Sequence, residues 1–66
     1  GTPPVELASA RRVVEGLYAY FHQNEAALPP EYQREEEALS RRVVDYIAGM
    51  TDQFAQNLAR KVGIQV

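Results

Sequence analysis

The side chains that could do chemistry in this sequence of 66 residues are mainly carboxylates, because the chain has one histidine and no cysteine. Paired carboxylates can bind a metal ion or act as general acid and base. The run Glu35, Glu36, Glu37 offers such groups, but neighbouring glutamates diverge on a helix instead of converging on one atom. We interpret this run as the acidic start of a helix, and His22 as a solvated or helix-capping group.

The charge pattern argues against two classes of function. The net charge is -2, and the basic residues are scattered along the sequence: Arg11, Arg12, Arg34, Arg41, Arg42, Arg60 and Lys61. A nucleic-acid surface requires basic residues gathered on one face, since its affinity rests on phosphate neutralisation. No apolar run approaches the roughly 20 residues that span a bilayer. We therefore expect no autonomous nucleic-acid binding, no membrane contact and a cytoplasmic location.

The longest apolar pattern lies in residues 39–54. Its members recur at three- and four-residue steps: Leu39, Val43, Tyr46, Ile47, Met50 and Phe54. On a helix these positions form one stripe that faces a partner. Gly49 interrupts the stripe, and Thr51 or Asp52 can cap a following helix. The pattern predicts a helix, a break and another helix; one continuous helix kinked at Gly49 remains the alternative.

A first helix is predicted upstream, beginning near Thr2 with Pro3 at the first helical position. Its apolar positions are predicted to form one buried face: Ala10, Val13, Val14, Leu17 and Phe21. Gly16 lies inside this helix, where glycine costs about 1 kcal/mol relative to alanine. It indicates either close approach of another backbone or a tolerant surface site.

A proline-containing connection separates the first two predicted helices. Asn24 can end the first helix, and Pro29 and Pro30 cannot continue one. The residues before these prolines are predicted to pack on the helix ends: Ala26, Ala27 and Leu28. Gly63 is expected to end the last helix. The prediction is an all-α fold, a helical hairpin plus a third helix in a small three-helix domain. The helices are predicted over about residues 4–23, 36–49 and 52–62.

The stretch Arg42 to Ala55, RVVDYIAGMTDQFA, resembles a signature near the C-terminus of bacterial deoxyguanosinetriphosphate triphosphohydrolase-like proteins, which belong to the HD-domain superfamily. The core of the resemblance is the contiguous run Asp45 to Asp52. The likeness extends upstream to Val14–Phe21 and Leu28–Pro29–Pro30. At Gln53 the family usually has arginine, so any contact of that arginine is not carried over.

The resemblance implies metal-dependent hydrolysis of a deoxynucleoside triphosphate to nucleoside and inorganic triphosphate. The family holds its metal with histidines and aspartates in an H…HD…D pattern. His22 is followed by Gln23, and a single histidine cannot supply that ligand set. We therefore identify residues 1–66 as the phosphohydrolase-associated, C-terminal accessory domain of a longer enzyme. The chain alone is expected to be inactive and without a cofactor, and a divalent metal is implied for the parent enzyme.

The implied partners are the upstream HD catalytic domain of the same chain, a neighbouring subunit in a homo-oligomer, and the deoxynucleotide substrate of the parent. Candidate contacts to a nucleotide or subunit come from the motif: Arg42, Asp45, Tyr46, Gly49, Thr51 and Asp52. A helix start can bind an anion such as phosphate. The alternative function is a stand-alone helical module that binds a partner helix in a groove.

Structural roles compete with these contacts at most of the candidate positions. Thr51 and Asp52 can cap the last helix, and Arg41 or Arg42 can pair with the motif carboxylates. Tyr46 and Met50 are predicted to pack in the core. A buried tyrosine must find a partner for its phenol, so Tyr46 is the best candidate for a polar contact from the apolar stripe.

Overall fold

The computed structural model describes residues 5–64, which form three α-helices and two short 3-10 turns. The helices are α1 (Val5–Gln23), α2 (Leu39–Ala48) and α3 (Asp52–Lys61). The 3-10 turns lie in the connection between α1 and α2, at Glu25–Ala27 and Pro30–Tyr32. Residues 5–64 contain no strand, so the predicted all-α fold is confirmed. The predicted cap at Thr2 and Pro3 lies outside the described residues.

The central element is α1, which packs against both α2 and α3. The buried apolar side chains come from all three helices and the connection: Val13, Leu17, Phe21, Leu28, Val43 and Ala59. Leu17, Val43 and Ala59, one from each helix, are 0% exposed. Full burial of a leucine or valine side chain contributes about 1.5–3 kcal/mol. One small core therefore holds the three helices together.

The predicted apolar face of α1 is only partly correct. Val13, Leu17 and Phe21 recur every four residues and are buried in the core. Ala10 and Val14, which were predicted on the same face, are exposed. Each residue turns the helix by about 100°, so Val14 points well away from the direction of Val13. The apolar surface of α1 is therefore wider than the surface that α2 and α3 cover.

Two side-chain amides organise the connection between α1 and α2. The Nδ2 of Asn24 donates to the carbonyl of Tyr20 at 2.8 Å, directly after α1 ends. The Nε2 of Gln33 donates to the carbonyls of Glu25 and Leu28, at 2.9 Å each, and so ties the two 3-10 turns together. Leu28 is buried as predicted. The two alanines that were predicted to pack beside it are exposed: Ala26 and Ala27.

The second helix begins at Leu39, and the prediction that it starts at Glu36 is wrong. The acidic run over residues 35–37 lies before the helix, where the amide of Glu37 donates to the carbonyl of Arg34 at 3.2 Å. The carbonyl of Glu37 accepts from the Nε of Arg42 at 3.0 Å. Ala38 is extended, with φ -60° and ψ 143°, so the helix begins after it, at Leu39.

Two separate helices flank the break at Gly49, as predicted. The amide of Gly49 donates to the carbonyls of Asp45 and Tyr46, at 3.3 and 3.2 Å, and ends α2. Thr51 is extended, with φ -74° and ψ 159°. Its Oγ1 accepts from the amide of Phe54 at 3.1 Å. Thr51 is therefore the N-cap of α3, and the alternative of one kinked helix is wrong.

The end of α3 returns the chain to α1. Gly63 has φ 90°, in the left-handed region that favours glycine. The amide of Ile64 donates to the carbonyl of Ala59 at 2.8 Å, and the amide of Gly63 to that of Arg60 at 3.2 Å, which is a Schellman motif. A Cβ built on Gly16 would lie 2.8 Å from Cγ2 of Ile64. The predicted close approach at Gly16 is thus made by a side chain, not by a backbone.

Substituting Gly16 by Ala tests the contact with Ile64. In the wild-type chain the added methyl group crowds Ile64, so we expect Gly16→Ala to lower the free energy of unfolding by about 1 kcal/mol. In an Ile64→Ala background the same change should raise it by about 1 kcal/mol through helix propensity. Urea unfolding of the four proteins in this double-mutant cycle gives the measurement. Equal effects in both backgrounds would contradict the contact.

Candidate functional site

Three of the six candidate residues line one groove at the break between α2 and α3. Tyr46 comes from the end of α2, and Gly49 and Thr51 come from the break itself. The other lining residues belong to the second 3-10 turn, the break and the start of α3: Glu31, Tyr32, Met50 and Phe54. The groove has a volume of about 260 Å³. We refer to these seven residues as the Tyr46 groove.

Tyr46 lines this groove and packs on the core at the same time. Its ring lies 5.3 Å from the ring of Phe21, edge to face, and 5.0 Å from the ring of Tyr32. Met50 is half-buried and also packs against the core. The predicted packing roles of Tyr46 and Met50 are therefore confirmed. The position of Tyr46 follows from its place on the apolar stripe of α2, three residues after the buried Val43.

The surroundings of Tyr46 keep its phenol protonated. Partial burial raises the pKa of Tyr46 above its ordinary value, and the nearby carboxylate of Glu31 and the phenol of Tyr32 raise it further. Burial disfavours the charged phenolate, and a neighbouring negative charge acts in the same direction. At neutral pH the Tyr46 hydroxyl is thus a neutral group that can donate a hydrogen bond in the groove.

Arg42 is buried and pairs outside the motif, whereas the sequence suggested that Arg41 or Arg42 could pair with the motif carboxylates. It is 6% exposed, and its Nη1 lies 2.8 Å from Oε2 of Glu25. Its Nε donates to the carbonyl of Glu37 at 3.0 Å, and its Nη1 to that of Tyr32 at 3.4 Å. The guanidinium thus fastens the connection to α2. We refer to these contacts as the Arg42 clamp.

The two motif carboxylates lie in different surroundings. Asp45 pairs with Arg41 one helical turn away, with 3.3 Å between Oδ2 and Nε, as predicted. Such exposed pairs contribute at most about 0.5 kcal/mol. Asp52 is exposed in the first turn of α3, directly after the N-cap Thr51. Its charge suits the positive end of that helix.

A neighbouring groove accommodates two of the remaining candidates. It also measures about 260 Å³, and its lining residues are Glu31, Tyr32, Arg34, Glu37, Arg42 and Asp45. Glu31 and Tyr32 line both grooves and form the wall between them. Sequence reasoning did not select either of these two residues. The only local signal was their position after Pro29 and Pro30, which places them at a turn but does not say what the turn contacts.

The side chains that line the Tyr46 groove are better suited to binding a ligand than to catalysing a reaction. Aromatic walls, the phenols of Tyr32 and Tyr46 and the carboxylate of Glu31 surround the Tyr46 groove, while Thr51 uses its hydroxyl as a helix cap. Within residues 5–64, no group of three or more His, Asp or Glu side chains could hold a metal ion. These residues therefore do not fit the metal that the resemblance implies. His22 is exposed in the last turn of α1, and none of the described helices has the length and hydropathy that spanning a bilayer requires.

Comparison with known proteins identifies relatives over most of the chain. The family described as "Phosphohydrolase-associated domain" matches residues 5–61. Curated relatives named deoxyguanosinetriphosphate triphosphohydrolase-like protein match as well. The relative from Thiobacillus denitrificans is 46% identical over 54 residues, which is 80% of this chain. The relative from Caldanaerobacter subterraneus is 50% identical over 48 residues, or 70% of this chain. The relative from Cereibacter sphaeroides is 43% identical over 65 residues, or 88% of this chain.

The matched segment is a small part of each relative. The chain spans 14% of the Thiobacillus denitrificans and Caldanaerobacter subterraneus proteins, and 17% of the Cereibacter sphaeroides protein. Most of the length of these relatives therefore has no counterpart in the present sequence. No solved structure matches the chain significantly.

Substitutions of two adjacent arginines test the Arg42 clamp. Arg42→Met removes the ion pair with Glu25 and two hydrogen bonds to carbonyls, so we expect the free energy of unfolding to fall by about 2–3 kcal/mol. Arg42→Lys keeps the charge but loses the planar guanidinium, so its free energy of unfolding should lie between those of Arg42→Met and wild type. The matched control is Arg41→Met, because Arg41 is 74% exposed and should cost less than about 0.5 kcal/mol. Similar losses for Arg41→Met and Arg42→Met in urea unfolding would contradict the clamp.

The raised pKa of Tyr46 predicts a loss of stability in alkali. Below about pH 10 the phenol is protonated in both folded and unfolded chains, and its contribution is fully present. As the pH rises past that value, the unfolded chain releases the proton first, so the free energy of unfolding falls until the folded pKa is passed. We expect a steeper decline for wild type than for Tyr46→Phe, measured by urea unfolding across this pH range. Parallel curves would show that Tyr46 titrates alike in both states.

Proposed function

Because the chain belongs to the phosphohydrolase-associated domain family, we propose that it is the C-terminal accessory domain of a metal-dependent deoxynucleoside triphosphate triphosphohydrolase. The observation that carries this proposal is the match over residues 5–61, in relatives of which this chain is about one seventh. In the proposed parent, a dGTP-like substrate is hydrolysed to deoxynucleoside and triphosphate. Such a substrate implies a cytoplasmic enzyme.

The domain contributes packing and position to this reaction, while the catalytic groups belong to the upstream HD domain. The uses of its own polar side chains support this division. Arg42 is occupied by the clamp, Thr51 caps α3, and Asp45 pairs with Arg41. The described residues do not fit a metal site, so the divalent metal that supplies the activated water is assigned to the rest of the parent chain.

The Tyr46 groove is the part of the domain that faces the nucleotide site or a neighbouring subunit. Its neutral phenol can donate a hydrogen bond, and its aromatic walls can accept an apolar or planar group. Gly49 adds no side chain to the groove, although its φ of -85° is open to any residue. Asp52 lies beside this surface in the first turn of α3. These features support a contact role for the break, in a parent that assembles as a homo-oligomer.

Activity measurements on two lengths of the protein test the proposed function. The full-length product of the gene should hydrolyse dGTP in the presence of a divalent metal and release triphosphate. The 66-residue chain alone should show no turnover above the buffer control at the same metal concentration. A full-length variant that lacks residues 5–64 should lose activity at least about tenfold, because the catalytic domain loses a packed partner.

Two results would contradict the proposal. Turnover by the isolated chain would show that the catalytic groups are here and not upstream. A reading frame without an HD-type histidine and aspartate set before Gly1 would favour the alternative of a stand-alone interaction module. In that case a partner helix in one of the grooves becomes the function to test.

A further inference from the structure

A second surface, distinct from the Tyr46 groove, lies along the hairpin of α1 and α2. Its lining residues are Val14 and Tyr18 from α1 and Val44, Ile47 and Ala48 from α2. We refer to these five residues as the apolar seam, which encloses about 230 Å³. None of the five carries a charge, and none comes from α3. The seam therefore opens on a side of the hairpin that α3 does not fill.

The exposure of the seam residues is unusual for this chain. Val14 is 47% exposed and Val44 is 49% exposed, and within residues 10–64 only Phe54 is a further exposed large hydrophobic side chain. A domain of this size has few apolar side chains to leave at the surface, since the burial of apolar area is the main source of its stability. Isolated apolar side chains at the surface need no explanation, whereas neighbouring ones that share a groove offer an apolar occupant a joint contact.

One end of the seam is closed by polar side chains. Ser40 Oγ lies 3.4 Å from Nε2 of His22, and the His22 ring stacks on Tyr18 with 5.6 Å between centroids. Arg11 and Glu15, which flank Val14 on α1, form an exposed ion pair at 3.0 Å. The Arg41–Asp45 pair lies beside Val44 on α2 in the same way. The seam is thus an apolar strip between paired, mutually neutralised charges, and an apolar occupant suits it better than a charged one.

We infer that the apolar seam is the docking surface for an apolar segment of the catalytic part of the same polypeptide. The inference rests on the proposed function, since it requires the longer chain. It goes beyond the proposed function by giving the domain two contact faces. The seam attaches the domain to the rest of the chain, and the Tyr46 groove stays free for the nucleotide or subunit contact. The occupant inserts apolar side chains between Val14 and Tyr18 on one wall and Val44 on the other.

The small size of the seam favours a segment of the same polypeptide as its partner over a separate protein. A stable interface between separate proteins uses about 20–30 residues on each side. The seam, with five lining residues, would supply only a small part of such an interface. A segment of the same polypeptide needs far less contact, because linkage gives it a millimolar effective concentration and removes most of the entropy cost of association. A second copy of this chain, docked through the seam alone, would lack the area for a stable dimer.

The test places a lysine in the seam of the full-length protein. Val44→Lys and Ala48→Lys put a charge into the covered seam, and Ala19→Lys is the matched control, because Ala19 is an exposed alanine in α1 that does not line the seam. We measure the rate at which limited proteolysis releases the domain under native conditions. Both seam variants should be released at least about tenfold faster than wild type, and Ala19→Lys within about twofold. The same substitutions in the 66-residue chain should leave its melting temperature nearly unchanged, because the altered positions are exposed there.

Two outcomes would overturn the inference. Release rates that are alike for Val44→Lys and Ala19→Lys would show that no segment of the polypeptide covers the seam. Sedimentation that shows a smaller assembly for Val44→Lys, with unchanged release of the domain, would assign the seam to another copy of the protein. Neither readout uses enzymatic activity. A full-length protein that hydrolyses no deoxynucleotide would contradict the proposed function and still leave this test readable.

Discussion

The buried guanidinium of Arg42 determines how the connection lies against the helices. A charged group that leaves water must be paired and hydrogen-bonded, or its burial costs several kcal/mol. Arg42 meets this requirement with one carboxylate, from Glu25, and two backbone carbonyls, from Tyr32 and Glu37. These acceptors belong to both 3-10 turns and to the residues before α2. One side chain therefore fixes three parts of an otherwise irregular segment.

The Tyr46 groove follows from this clamp. Arg42 donates to the carbonyl of Tyr32, and the ring of the same residue lies 5.0 Å from the ring of Tyr46. Glu31, the residue before Tyr32, supplies the negative charge that helps to raise the pKa of Tyr46. The site is thus built from a helix end and a distant turn, and the helix alone would present Tyr46 without its walls. Arg42 holds the connection, and Tyr46, four residues later, lines the groove for which we propose a contact role.

The sequence predicts best those features whose signals are local. The end of α1 at Gln23, the break at Gly49 and the cap at Thr51 each depend on residues within one or two helical turns. The start of α2 could not be predicted, because the carbonyl of Glu37 is held by the side chain of Arg42, and this arrangement requires Glu25 from far upstream. The acidic run that favours a helix start therefore lies before α2, next to that contact.

The candidate site shows the same division. Tyr46, Gly49 and Thr51 are close in sequence, and the motif that contains them also lines one groove. The walls formed by Glu31 and Tyr32 depend on how the connection folds back onto α2. The sequence of residues 29–34 contains no pattern that predicts this contact. The periodicity of apolar residues also does not predict how much of each apolar helix face is buried. It counted Val14 as core, although a helix of this pattern can expose one edge of its apolar stripe.

The fold restricts the chemical roles that Tyr46 and Arg42 could have on the basis of their residue types alone. A general base must lose its proton near neutral pH, and burial beside Glu31 moves the pKa of Tyr46 in the opposite direction. The phenol can therefore donate a hydrogen bond but is a poor acceptor of a proton from substrate. Arg42 could balance phosphate charge only by leaving Glu25 and two carbonyls without their donor, which makes that contact costly. Recognition and attachment are thus the roles that these side chains can fulfil without dismantling the structure that positions them.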